Sequence, residues 1–154
     1  MKTLVLALMT AGLAYASAYA APDYGKRAEK LDPAVTARLI GKWTNPVDNL
    51  VIEIRSVDPV SGELHGRVSP TSGPAAADEH ELVGWVSAAP RKDSYDNVVP
   101  VTFSTTLYEY GTLPVWAGFL RDDKLVTMHY LVWPNRPYPW DHISAFSETW
   151  VRVP

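Results

Sequence analysis

Across residues 39–153, apolar side chains recur at every second position in short runs, and turn residues separate the runs. No helical period intervenes, so the chain is predicted to build antiparallel strands. Residues 50–55 set Ile52 and Ile54 on one side and Glu53 and Arg55 on the other. Asp58-Pro59-Val60-Ser61-Gly62 is a turn. In residues 62–68, Leu64, Gly66 and Val68 share one face while Glu63, His65 and Arg67 share the other. Further strands are predicted over 39–45, 81–88, 98–110, 115–120, 125–133 and 147–153. Residues 69–77 and 134–139, rich in Pro and Gly, are predicted loops, and Asp122-Asp123 is a tight turn. Eight strands joined by short connections pair neighbour with neighbour. They close into an all-β, eight-stranded, antiparallel up-and-down barrel whose interior holds one small ligand. A β-sandwich competes, but it normally needs a long crossover, and none is evident.

Composition narrows the function. Residues 1–20 read as a secretory leader: Lys2, an apolar run over 4–13, and the cleavage-type ending Ala18-Tyr19-Ala20. That run is too short for a membrane span. The expectation is a secreted or periplasmic protein cleaved near Ala20. It would keep an N-terminal extension over 21–38, in which Asp32-Pro33 suits a helix start, and one barrel domain over 39–154. The sequence has no cysteine, so packing or contacts between subunits must hold the domain. A net charge of −3 with no basic block disfavours nucleic acid and anionic membranes as partners. There is no thiol, no Gly-x-Ser-x-Gly and no phosphate loop, and His65, His80, His129 and His142 lack metal-like spacing. A non-enzymatic protein without metal or cofactor is expected.

Six tryptophans and eight tyrosines suit a barrel lumen or a large interface. Trp43 and Asn45 point to the same side of the first strand. In residues 125–133, one face carries Leu125, Thr127, His129 and Leu131, and the other carries Val126, Met128, Tyr130 and Val132. A wall apolar on both faces implies a second chain outside, and Val151 and Val153 extend that face. Glu148 sits in an otherwise apolar strand, so it either meets a ligand or pairs across the lumen, with His129 as the candidate. Trp140 follows Pro137-Tyr138-Pro139, on a loop suited to a lid or an interface anchor. Asn45 and Asn49 read either as turn caps or as ligand contacts.

Five segments together resemble the avidin and streptavidin family over residues 39–154. They are Gly41-Lys42-Trp43-Thr44-Asn45, Gly62-Glu63-Leu64-His65-Gly66, Trp116-Ala117-Gly118, Thr127-Met128 followed by Leu131, and Trp140 eight residues before Glu148. The resemblance implies a dimeric or tetrameric barrel with biotin at one end. On that pattern Asn45 and Asn49 meet the urea oxygen, and Val68 stands where a tyrosine would. Pro70 replaces a loop hydroxyl that Ser69 or Thr71 could supply, and Glu148 meets a ring nitrogen. Pro114 replaces the hydroxyl near the sulfur, and Thr112 lies toward the ligand tail. Tyr108, Trp116, His129 and Trp140 form the aromatic box, with Trp140 reaching the neighbouring subunit's cup, while Val47 and Leu131 fill apolar positions. The losses at Val68, Pro70 and Pro114 imply weakened biotin binding or a related small ligand. The alternatives are a lipocalin-like binder of an apolar ligand, since lipocalins share the opening Gly-x-Trp, or a structural or interaction barrel with a filled lumen.

Overall fold

The structure, a computed structural model, describes residues 30–73, 76, 78–87, 96–107 and 111–154. The expected leader, the start of the extension and Tyr108 lie outside the described residues. Asp32 accepts a hydrogen bond from the Ala34 amide at 2.8 Å, and Pro33 takes the first helical position. A short helix, α1 (Pro33–Leu39), follows. Eight strands come next: β1 (Gly41–Asn45), β2 (Leu50–Val57), β3 (Glu63–Pro70), β4 (His80–Val86), β5 (Val99–Ser104), β6 (Leu113–Arg121), β7 (Lys124–Val132) and β8 (Ile143–Arg152). Each pairs antiparallel with its neighbour in sequence, and β8 returns to β1 through Trp43–Arg152 and Thr44–Val151. The barrel is closed, and the sandwich is excluded.

Several boundaries depart from the periodicity. Strand β3 runs on through Ser69 and Pro70, the first two residues of the predicted loop. Pro70 sits opposite Leu50 at the strand's last position, where a missing N–H costs least. The strand expected over 98–110 stops at Ser104, and a single bridge from Leu107 to Thr112 closes its connection to β6. Strand β8 begins at Ile143, four residues before the expected start, because β7 offers it partners as far as Val132.

One end of the barrel is plugged. Leu39 and Trp43 are fully buried, and the Trp43 indole donates to the Leu39 carbonyl at 2.9 Å. The Arg152 guanidinium lies 4.7 Å over the Trp43 ring and donates to the carbonyls of Ile40 and Arg38. Gly41 (φ 134°) admits this arrangement, since a Cβ there would stand 2.7 Å from the guanidinium. Above the plug, Ile52, Ile54, Leu64, Leu120, Leu125 and Trp150 fill the lumen. The other end, where the β1–β2, β3–β4, β5–β6 and β7–β8 connections gather, stays partly open. The outer parity of β7 is apolar as expected, with Met128, Tyr130 and Val132 each nearly 40% exposed, and Ile143 and Val151 of β8 are exposed beside it.

Candidate ligand-binding site

The open end holds a cavity of about 80 Å³ lined by Leu50, Val68, Pro70, Thr105, Leu107, Pro114, Trp116, His129 and Leu131. Strand parity puts most of these inside. Leu50 continues the Ile54–Ile52 face, Pro70 continues Val68, and Pro114 continues Trp116. Aromatic stacking sets the depth of the cavity. The His129 ring lies 4.5 Å from Trp116 and nearly parallel to it, and Trp116 rests on Phe103 at 5.3 Å. Trp150 closes the stack from below with an edge toward Trp116, and its indole N–H is satisfied by Thr127 Oγ1 at 3.0 Å.

Glu148 organises the polar groups. Its Oε2 accepts from Trp116 Nε1 at 2.9 Å, and its Oε1 lies 2.7 Å from His129 Nδ1. A carboxylate oxygen only accepts, so His129 carries its proton on Nδ1. In the neutral ring Nε2 is then a lone-pair acceptor, buried and without a partner among the described residues. The pairing of Glu148 with His129 is the lumenal one that the sequence offers as the alternative to ligand contact. The Asp48 carboxyl also faces Glu148. Burial of that carboxyl, then the hydrogen bond and the charge of Glu148, raise its pKa above the ordinary value of 3.8. Asp48 is exposed as a residue, so this desolvation belongs to the carboxyl's inward side.

The other expected contacts divide. Val68, Trp116, His129 and Leu131 form cavity wall, and Glu148 bonds to two of them. Asn45 is buried, but its amide holds the β1–β2 turn, donating to Asp48 Oδ2 at 2.6 Å and accepting from the Val47 amide at 3.0 Å. Asn49 is a turn residue with φ 53°, and its carbonyl accepts from both the amide and the hydroxyl of Thr71. Val47 is 82% exposed and off the wall. Ser69 and Thr112 are also absent from the wall. Trp140 is 75% exposed and stacks flat on Tyr138 at 5.0 Å, away from its own cavity. Leu50, Thr105 and Leu107 are wall residues not expected from the sequence, and strand parity would have found the first. Phe146 was also missed. It has the inward parity of β8 and its ring is 5.9 Å from His129 at the mouth. No sequence signal marks Asp48.

The core-bradavidin structure superposes on this chain with a TM-score of 0.59 at 20% identity, covering 73% of this chain and 97% of that one. The barrel has the avidin fold. Apo shwanavidin matches with a TM-score of 0.56 at 19% identity, over 75% of this chain and 96% of that one. A biotin-binding protein from chicken matches with a TM-score of 0.62 at 18% identity, over 77% and 99%. No family model matches the sequence, and no curated protein does. The likeness therefore rests on the avidin-like barrel itself.

Proposed function

We propose that this chain is an exported, non-catalytic binder of one small molecule, biotin or a compact relative, held at the open end of its avidin-like barrel. The observation that carries this reading is the cavity built on the Trp116–His129 stack, at the end opposite the Trp43–Arg152 plug. Structural neighbours include a bradavidin2–biotin complex and the chicken biotin-binding protein. Binding of biotin is expected to be weak. A urea brings a carbonyl that needs donors, and Val68, Pro70 and Pro114 supply none at the wall. Each unmet partner costs ~1–3 kcal/mol, and each 1.4 kcal/mol is about tenfold in affinity.

We further propose a dimer or tetramer, packed through the apolar outer face of β6, β7 and β8. The exposed Trp140–Tyr138 pair would be offered to a neighbour's mouth. Export would follow cleavage near Ala20. Isothermal titration of the mature protein with biotin tests the central claim. A saturable isotherm with one site per chain is expected, and no heat at high micromolar protein removes biotin as the ligand. The apolar wall also supports a second reading, a lipocalin-like binder of apolar molecules. Tryptophan quenching by a fatty acid and not by biotin would favour it.

A further inference from the structure

We infer that the cavity selects a ligand whose apolar body carries a cationic or hydrogen-bond-donating head, with Asp48, Glu148 and His129 Nε2 as its acceptors. This rests on the reading of the cavity as a ligand cup and names the class of molecule that the cup takes.

The inference follows from a count of polar hydrogens. Three wall residues carry one. Trp116 Nε1–H is used on Glu148 at 2.9 Å, and His129 Nδ1–H on the same carboxylate at 2.7 Å. Thr105 Oγ1–H is used on the Glu81 carbonyl at 2.5 Å. Pro70 and Pro114 have no amide hydrogen, and Val68, Leu50, Leu107 and Leu131 offer only carbon from their side chains. Beside the wall, the Asn45 amide is turned on Asp48. With His129 neutral, an incoming carbonyl or carboxylate therefore finds no free side-chain donor among the described wall residues.

Acceptors, by contrast, are in surplus. Asp48 and Glu148 bring two carboxyls together from the β1–β2 turn and from β8. His129 is 9% exposed, and its Nε2 has no partner among the described residues. Buried acceptors normally find donors, and charge-assisted pairs are the stronger ones. An ammonium or amidinium head meets all three demands and relieves the repulsion between the carboxyls. An anion adds to that repulsion and is rejected. The cavity, about 80 Å³ and open at the mouth, takes a short branched or small cyclic hydrocarbon, with the head toward the carboxyls.

Three probes share one carbon skeleton and differ in the head: isopentylammonium, isopentanol and isovalerate. Binding to the mature protein is read from the indole ¹H–¹⁵N resonance of Trp116 at neutral pH and low salt. Isopentylammonium is expected to bind about tenfold more tightly than isopentanol, with isovalerate weakest. In Asp48→Asn the ammonium-to-alcohol ratio should fall about fivefold; the ratio corrects for any change in the fold. Equal binding of ammonium and alcohol, or preferred binding of isovalerate, overturns the inference and leaves the cup standing. Failure of all three to move the Trp116 resonance overturns both.

Discussion

Replacing Glu148 by leucine should destabilise the barrel far more than replacing it by glutamine. Glu148 is 5% exposed and receives two N–H donors, one from Trp116 and one from His129. Leucine leaves the Trp116 N–H without an acceptor, and whichever tautomer His129 adopts, its Nδ1 is unpaired as well. Each buried orphan costs ~1–3 kcal/mol, so the gross penalty is about 2–6 kcal/mol. Relief of the carboxylate's own desolvation and of its repulsion with Asp48 offsets part of this, leaving about 2–4 kcal/mol. Glutamine keeps a carbonyl for Trp116 and presents an NH₂ to a re-tautomerised His129, so its cost should be about 1 kcal/mol or less. Urea unfolding followed by tryptophan fluorescence, at one fixed protein concentration, measures both. At roughly 2–4 °C per kcal/mol the difference is also visible in Tm. Adding His129→Leu to the leucine variant removes one orphan and should recover about 1 kcal/mol relative to additivity. Equal stability of the leucine and glutamine variants would refute the claim that satisfaction of these donors holds the site.

Other perturbations test separate parts of the structure. The native state holds Asp48's proton more tightly than the unfolded chain does, because that carboxyl's pKa is raised by burial and by Glu148. Its contribution is therefore fully present below the ordinary value of 3.8 and is lost as pH climbs through the raised native pKa. Asp48→Asn should exceed the parent's stability at neutral pH by about 0.2–1 kcal/mol, the scale of an exposed charge pair, and the gap should close below about pH 4. A gap that widens on acidification contradicts the assignment. Gly118→Ala would place a Cβ 1.9 Å from the Val126 carbonyl and force β6 off β7, at a cost of about 1–3 kcal/mol by thermal melting. Tyr130→Lys on the outer face should lower the mass seen by light scattering without changing the far-ultraviolet spectrum; an unchanged mass removes that face from the assembly.

The fold was legible because one physical pattern repeats eight times. Alternation separated the two faces of β2, β3 and β7, and short turns between strands left closure as the simplest topology. Strand ends were less legible because pairing, not propensity, decides them: Ile143–Phe146 joins β8 because β7 has free edge opposite it. The site was legible where parity governs, at Val68, Trp116, His129 and Leu131, and less so where side-chain direction within a turn governs. Asn45 and Asn49 have the right chemistry to meet a ligand, yet they hold loops, and Asp48 between them turns its carboxyl toward Glu148. A sequence lists donors without saying which acceptors already use them.

That distinction gives Glu148 a second role, since its charge sets which proton His129 carries. Two carboxylate oxygens accept from Trp116 and from His129 Nδ1, so Nε2 is left as an acceptor. In Glu148→Gln the arrangement must invert. Trp116 can only donate, so the amide oxygen goes to it, and the NH₂ faces Nδ1, which must now accept. The proton moves to Nε2, and the unpaired nitrogen of the cup becomes a donor. The variant should lose its preference for isopentylammonium, and binding of a carbonyl-bearing ligand should strengthen by roughly the worth of one neutral hydrogen bond, about 0.5–1.5 kcal/mol. The ¹⁵N shifts of the two His129 nitrogens should exchange character between parent and variant. If they do not, the histidine's tautomer is set by something other than its neighbour's charge, and Glu148 does no more than fill a gap in the wall.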